Sequence, residues 1–213
     1  MSHLPVILKL DGKRAAVIGA GTVAARQIPK LLEAGVSQVI VYAPSLHPTL
    51  ESYLNKPHFK WEKGMVDPTF SFDEDFLFLM TNDSALHLAL YQHRKTYQLV
   101  YFADNSSLSD FHFPMTFQRG PFSFSLSTGG ASPTYGKRLM AQIKKNIPDS
   151  IEEDLLFLEY ARKQVLTSGL KQQVRKQILQ QCASLHFLQE PNREELLHQL
   201  IKQEINRKRE SHF

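Results

Sequence analysis

The chain has 213 residues and a mass of 24.4 kDa, with 42% hydrophobic residues and 25 basic against 21 acidic side chains. This composition excludes a disordered chain, and no window approaches the roughly 18 consecutive apolar residues of a membrane-spanning helix. A single cysteine excludes a disulfide framework, and the N-terminus carries no export signal, so we expect a cytoplasmic protein. The basic residues are dispersed, and we expect neither nucleic-acid nor membrane partners.

The first hundred residues alternate between short apolar runs and segments with helical spacing. In chain order, this pattern predicts strand 14–18, helix 22–32, strand 38–42, a helical stretch 48–54, strand 76–80, helix 84–95 and strand 98–102. Residues 59–62 alternate apolar with polar side chains, which predicts a short or edge strand. Apolar strands separated by helices are typical of a parallel sheet covered on both faces. The sequence therefore predicts an α/β, Rossmann-like fold with a doubly wound parallel sheet.

After residue 102 the pattern changes. Residues 112–118 and 122–127 alternate apolar with polar side chains, which predicts two half-exposed strands. Ser132 and Pro133 predict the start of a helix that runs to about residue 147, because they suit its N-cap and its first position. Two further helices are predicted from capping boxes, formed by Ser150 with Glu153 and by Asn192 with Glu195.

A glycine-rich turn between the first strand and the first helix is the sharpest local signal. Gly19 allows a tight turn, Gly21 lets a pyrophosphate approach the backbone, and Ala24 permits close packing of helix on strand. The helix N-terminus would then hold the pyrophosphate. The alternative is a strand–helix turn without a ligand. The end of the second strand, residues 41–45, carries neither an acidic residue for a ribose nor an arginine for a 2′-phosphate, so the sequence does not choose between NAD and NADP.

Polar residues follow two further strands. Thr81, Asn82 and Asp83 come after the third strong strand, where an open parallel sheet binds ligands, although Asp83 fits equally well as a helix N-cap. Asp104 follows the next strand, and a carboxylate in that crevice suits acid–base chemistry. The alternative for Asp104 is a turn residue or a cap.

A loop of hydroxyls and glycines precedes the helix that starts at Pro133. Hydroxyl groups, flexible backbone amides and a helix N-terminus together favour binding of a carboxylate or phosphate, and a tight turn is the alternative. The residues concerned are Ser127, Thr128, Gly129, Gly130 and Ser132. The nine histidines show no zinc-site spacing, so we expect no resident metal, and Cys182 is expected to be a packing residue.

Four segments in this order resemble the precorrin-2 dehydrogenase family of siroheme biosynthesis, which includes the N-terminal half of siroheme synthases. The resemblance covers about residues 4–146 and is looser over 150–213. The Ser-Thr-Gly-Gly-Ala-Ser-Pro segment is far more specific than the glycine-rich turn. The segments are Leu4-Pro5, residues 17–26, residues 81–83, and Asp104 followed by residues 127–133.

The resemblance implies an enzyme that transfers a hydride from precorrin-2 to NAD⁺ and yields sirohydrochlorin. By matching position, Asp104 would be the catalytic aspartate, Thr22 and Val23 would contact the pyrophosphate, and Ala43 and Pro44 would border the adenosine. The implied organisation is a homodimer with an NAD-binding domain at 1–111, a phenylalanine-rich dimerisation region at 112–148 and a helical domain at 149–213.

Two alternatives stay open at this point. Some members of the family also insert ferrous iron, which would make the chain a bifunctional dehydrogenase–ferrochelatase. A non-catalytic NAD-sensing module is the alternative from a different class. A sensor needs neither Asp104 nor the loop at 127–133, which favours the enzyme. The basic residues Arg119, Lys137 and Arg138 flank that loop and are candidates for pairing with substrate carboxylates.

Overall fold

The structure, a computed structural model, describes residues 4–210, with side chains up to Arg207. The chain divides into two compact units, one ending at Phe113 and the other beginning at Pro114. Within the described residues, no helix combines the length and apolarity that crossing a membrane requires.

The first unit contains a five-stranded sheet in which all neighbouring strands are parallel. Its order is β3-β2-β1-β4-β5, so the chain winds in one direction from β1 and then in the other. This confirms the predicted doubly wound sheet. The strands are β1 (Arg14–Ile18), β2 (Gln38–Ala43), β3 (Phe59–Lys63), β4 (Phe76–Leu79) and β5 (Leu99–Phe102).

Helices cover both faces of this sheet. Val17 of β1 packs with Ile28 in one apolar layer, whereas its neighbour Ile18 packs with Leu90 in the other. Both layers bury apolar side chains, which explains why the strands read as uninterrupted apolar runs. The helices of this unit are α1 (Thr22–Glu33), α2 (Pro48–Glu51) and α3 (Ser84–Gln92). Helices α2 and α3 both end about three residues earlier than predicted, since turns follow Glu51 and Gln92.

The edge strand β5 is covered by the loop that follows it. The Val100 backbone N–H donates to the Asp110 carboxylate at 2.8 Å, and the Phe102 N–H donates to the Ser109 hydroxyl at 2.9 Å. The Asp110 N–H in turn donates to the Val100 carbonyl at 2.8 Å. Side chains thus replace the missing neighbouring strand and blunt an exposed edge.

The second unit combines an antiparallel hairpin with five helices within the described residues. In the hairpin, Phe117 stands opposite Phe124. Alternate side chains of both strands are exposed, as the sequence predicted. A helical core forms around Phe157, Ala161 and the buried Cys182. The elements are β6 (Met115–Arg119), β7 (Phe122–Leu126), α4 (Pro133–Lys145), α5 (Ile151–Thr167), α6 (Gln172–Cys182), α7 (Leu185–Leu188) and α8 (Arg193–Glu210).

Two predictions for this part of the chain need correction. The capping box at Ser150 and Glu153 does not form, because Ser150 has helical backbone angles and its hydroxyl donates to the Asp154 carboxylate at 2.7 Å. The strand predicted from residue 112 begins at Met115. The preceding Phe113 instead packs against the core of the first unit.

Candidate active site

Gly19, which directly follows β1, is required by the fold itself. Its φ is +102°, a conformation that side chains rarely adopt, and a Cβ at this position would lie 2.6 Å from the Met80 carbonyl oxygen. The turn after β1 therefore lies directly against the residue that follows β4. The carboxyl ends of β1 and its neighbour β4 therefore lie side by side at this point.

Gly21 is a different case. Its φ is −83°, the residue is exposed, and a Cβ here would find no atom within 4 Å. Helix α1 begins at the next residue, with no side-chain cap and no acidic residue in its first turn. An open space beside backbone N–H groups and the positive end of a helix dipole fits an anionic pyrophosphate. Thr22 and Val23 supply N–H groups of that first turn.

The end of β2 supplies no carboxylate. Ala43 is buried, and its carbonyl accepts from the Trp61 indole at 2.9 Å and from the Gly64 N–H at 3.2 Å. Pro44 is exposed beside it. It stays a prediction that Ala43 and Pro44 lie beside the adenosine of the cofactor.

Asp83 caps helix α3. Its carboxylate accepts the Leu86 N–H at 2.9 Å, and Thr81 accepts the Asp83 N–H through its hydroxyl at 3.1 Å. Asn82 is exposed between them. The capping alternative for Asp83 therefore accounts for its carboxylate, and any cofactor contact of residues 81–83 stays a prediction.

Asp104 lies beyond the end of β5 and is held by two residues of helix α3. One carboxylate oxygen accepts from the Ser84 hydroxyl at 2.5 Å, and the other lies 2.9 Å from Nδ1 of His87. Burial raises the pKa of Asp104, but the hydrogen bonds from Ser84 and His87 outweigh burial and leave this pKa below its ordinary value. Asp104 is thus an ionised carboxylate at neutral pH, with its side chain 31% exposed.

His87 is not among the site residues predicted from the sequence, in which the histidines show no metal-site spacing. It is fully buried and bonded to both Asp104 and Thr81. A signal was available, because His87 lies four residues after the cap Asp83, beside the core residue Leu86. A polar residue on the buried side of a helix that follows a strand end indicates a partner at that edge of the sheet.

The loop predicted to bind anions belongs to the second unit. The Ser127 hydroxyl accepts the Gly129 N–H at 3.2 Å, and the Ser132 hydroxyl accepts the Tyr135 N–H as the cap of α4, also at 3.2 Å. Gly129 and Gly130 have φ values of +60° and +82°. The loop is therefore built as a turn and a cap, and substrate binding by Ser127, Thr128, Gly129, Gly130 and Ser132 stays a prediction.

Two basic residues near this loop are in different situations. Arg119 donates to the Pro148 carbonyl at 3.0 Å and pairs with Asp149 at 3.2 Å, so its guanidinium is engaged within the second unit. Lys137 is exposed on α4. Among the described side chains, no three His, Cys, Asp or Glu residues lie close enough together to hold a metal ion.

Comparison with known proteins connects this geometry to a family. Residues 6–115 match a family model described as "Putative NAD(P)-binding". The precorrin-2 dehydrogenase of Priestia megaterium is 31% identical over 157 residues, which cover 74% of this chain and 77% of that relative. The chain belongs to the precorrin-2 dehydrogenase family. A solved structure of SirC, a precorrin-2 dehydrogenase, has a TM-score of 0.81 and 25% identity, and the match covers 94% of this chain and 100% of that one.

Longer relatives extend the family. The siroheme synthase of Nitrosococcus oceani is 34% identical over 152 residues, and the match covers 32% of its length. The chain thus spans about a third of such synthases. Within the family's dinucleotide-binding region, structural roles account for Asp83 at its helix cap and for Asp110 at the edge of β5. The position of Asp104, at a strand end and partly exposed, leaves it accessible for chemistry.

Proposed function

We propose that this protein is an NAD-dependent precorrin-2 dehydrogenase, which oxidises precorrin-2 to sirohydrochlorin in the cytoplasm. One observation carries the proposal. An ionised, partly exposed Asp104 is connected through His87 to Thr81, next to the glycine turn that fits a pyrophosphate. Family membership supports precorrin-2 as the substrate, since the relatives are named for this reaction. The single, buried Cys182 suits a reducing compartment.

Different residues of the first unit bind the cofactor and accept the proton. Bound NAD⁺ would supply the acceptor for the hydride that the substrate loses. The N–H groups of Thr22 and Val23 hold its pyrophosphate beside Gly21. Loss of a hydride leaves a cationic macrocycle, which becomes sirohydrochlorin when it also loses a proton. Asp104 accepts that proton, because its carboxylate is ionised at neutral pH.

The second unit supplies charge for a polycarboxylate substrate. Residues 114–148 contain five basic side chains and no acidic one. Helix α4 carries four of the five and starts at the loop of Ser127, Thr128, Gly129, Gly130 and Ser132. We assign this loop and the exposed Lys137 and Arg138 to the substrate's carboxylates.

We also propose a homodimer formed through the hairpin. Phe117, Phe122 and Phe124 are only half buried in the single chain, although they lie on one side of the two strands. A second copy that covers the part of these rings still exposed would bury apolar surface and stabilise the hairpin.

The decisive experiment mixes the purified protein with NAD⁺ and precorrin-2 under anaerobic conditions and follows the tetrapyrrole absorbance together with NADH. We expect sirohydrochlorin and NADH in equal amounts. Binding of NAD⁺ without oxidation of precorrin-2 would contradict the proposal and favour the sensor. Added Fe²⁺ tests the bifunctional alternative, because insertion of iron consumes the sirohydrochlorin formed.

A further inference from the structure

His87 is a fully buried polar side chain between the ends of two strands. Its ring stands edge-on to Phe102, with ring centroids 6.1 Å apart. A buried imidazole needs a partner at each nitrogen, because an unpaired buried polar atom is costly. His87 has these partners on two separate segments, Thr81 after β4 and Asp104 after β5.

The partners determine which nitrogen of His87 carries the proton. The Thr81 backbone N–H points at Nε2 from 3.2 Å, and a backbone N–H can only donate. The Thr81 hydroxyl lies 2.9 Å from the same Nε2, and it accepts the Asp83 N–H through a lone pair, so its own hydrogen is free for Nε2. Nε2 is therefore the acceptor, and Nδ1 carries the hydrogen that is donated to Asp104.

We infer that His87 is a positioning residue, which transmits the fixed geometry of the Thr81 backbone to the carboxylate of Asp104 and so holds that carboxylate in place for the substrate. The inference rests on the proposed function, which makes Asp104 the base. His87 itself is too buried to touch a substrate. It acts only through Asp104.

The hydrogen bonds orient the Asp104 carboxylate without occupying all of its acceptor positions. His87 occupies one lone pair of Oδ1, and Ser84 occupies one lone pair of Oδ2. A carboxylate has about four such positions, so one stays open to the substrate when the backbone N–H of Asp104 itself is also counted. Besides its own backbone N–H, Ser84 and His87 are the groups that act on Asp104 in the described part of the chain, and Ser84 does not titrate. Two donors from one helix fix the plane of the carboxylate.

Two substitutions test the contact of His87 with Asp104 and its contact with Thr81 separately. In His87→Asn, the shorter amide reaches the position of Nδ1 and keeps a donor for Asp104. In His87→Gln, the longer amide reaches the position of Nε2 and keeps contact with Thr81, but Asp104 loses its donor. Gln98→Met is a matched structural control, because Gln98 is also buried and donates only to the carbonyls of Phe72 and Glu74.

We expect His87→Gln to lower kcat by about 10- to 100-fold, the effect of a misplaced catalytic group, with the Kd for NAD⁺ unchanged. The acid limb of its kcat/KM profile moves to higher pH, because the charged carboxylate has lost a donor that stabilises it. In His87→Asn the acid limb stays as in the wild type, because Asp104 keeps its donor. Its kcat falls, but by less than in His87→Gln, because only the anchor at Thr81 is lost. Gln98→Met lowers the melting temperature and leaves kcat and the acid limb unchanged.

An unmoved acid limb in a folded His87→Gln, or a limb that moves equally in His87→Asn, would overturn the inference. A measurement on the wild-type protein covers the case in which the variants do not fold. The ¹⁵N spectrum of the His87 ring is expected to show a protonated Nδ1 and an unprotonated Nε2, and the opposite tautomer overturns the inference. Failure of the wild-type protein to oxidise precorrin-2 would instead contradict the proposed function, whatever tautomer His87 has.

Discussion

The two units differ in charge and in how they hold their polar groups. The first has 10 basic and 11 acidic residues, whereas the second has 15 basic and 10 acidic residues, a net charge of +5. In the first unit, Asp104 is held by a buried histidine at the edge of a sheet covered on both faces. In the second, the hydroxyls of Ser127 and Ser132 serve an exposed turn and a helix cap.

This difference suits the division of tasks that we propose. Proton transfer requires a carboxylate held within a fraction of an ångström, and a doubly covered sheet provides that rigidity at its strand ends. Attraction of a polycarboxylate requires only positive charge at a suitable distance, which exposed lysines and arginines on a helix provide. Substitutions in the first unit are therefore expected to change kcat and cofactor binding, and substitutions in the second to change KM for the tetrapyrrole.

The largest expected effect is that of Asp104→Asn. The variant keeps the shape of the side chain and removes the proposed base, so we expect the oxidation rate to fall by about 10²–10⁴ while the Kd for NAD⁺ is unchanged. Stopped-flow absorbance and calorimetry measure the two quantities. Asp110→Asn is the control, because Asp110 pairs with the β5 backbone and its loss is expected to lower stability rather than rate. A near wild-type rate for a folded Asp104→Asn would contradict the assignment of Asp104 as the base.

The two glycines of the turn after β1 are expected to respond in opposite ways. Gly21→Asp places bulk and a like charge in open space beside α1, so NAD⁺ affinity falls by more than about 100-fold while the fold survives. Gly19→Ala meets the Met80 carbonyl at a positive φ, so the protein itself is destabilised. Calorimetry and thermal melting separate these outcomes. Unchanged NAD⁺ affinity in Gly21→Asp would show that the cofactor binds elsewhere.

A smaller effect is expected in the second unit. Replacing Lys137 and Arg138 together by Gln removes two exposed charges from α4, and we expect KM for precorrin-2 to rise about 10-fold, with kcat and NAD⁺ affinity retained. The wild-type KM is also expected to rise with salt. Lys176→Gln, an exposed change on α6, is the matched control. If kcat falls instead of KM rising, the division between the units is wrong.

Asp75 tests the end of the sheet opposite the site. Its carboxylate accepts from Lys13 at 2.7 Å and from the Arg14 N–H at 2.9 Å, and the bond from Lys13 holds its pKa below the ordinary value. A carboxyl with a depressed pKa stabilises the fold above its ordinary pKa and loses that contribution as the pH falls through the folded value, below about pH 4. We expect Asp75→Asn to cost about 1 kcal/mol at neutral pH and to flatten the acid side of the stability profile, with kcat unchanged. Denaturant unfolding at several pH values measures this. If the assignment is wrong, the free energy of unfolding of Asp75→Asn falls at acid pH as steeply as that of the wild type.

The smallest expected effect is a factor of two in mass. If the half-buried phenylalanines of the hairpin meet a second copy, light scattering at micromolar concentration gives about twice 24.4 kDa. Phe124→Ser is expected to shift the species toward the single chain, whereas Tyr97→Ser, at an exposed position of the first unit, is not. A wild-type protein that stays monomeric would leave the hairpin without the proposed partner.

The sequence alone determined the elements that depend on local periodicity. The buried strands at residues 14–18 and 38–42, the helix after Gly21 and the two half-exposed strands that contain Phe117 and Phe124 follow from side-chain patterns a few residues long. The cap at Asp83 was one of two readings of a local motif, and the structure confirmed it. The capping box at Ser150 failed because Asp154, one turn further, bonds the same hydroxyl.

The pairing of His87 with Asp104 was decided only by the tertiary structure. The two residues lie 17 positions apart, and they meet because β4 and β5 are neighbours in the sheet, which brings helix α3 and the end of β5 together. The cover of β5 by Ser109 and Asp110 likewise depends on which strand lies at the edge. Strand order is a property of the whole chain's packing, so no window of sequence contains it, and the partners of a buried polar group become known only when that order is known.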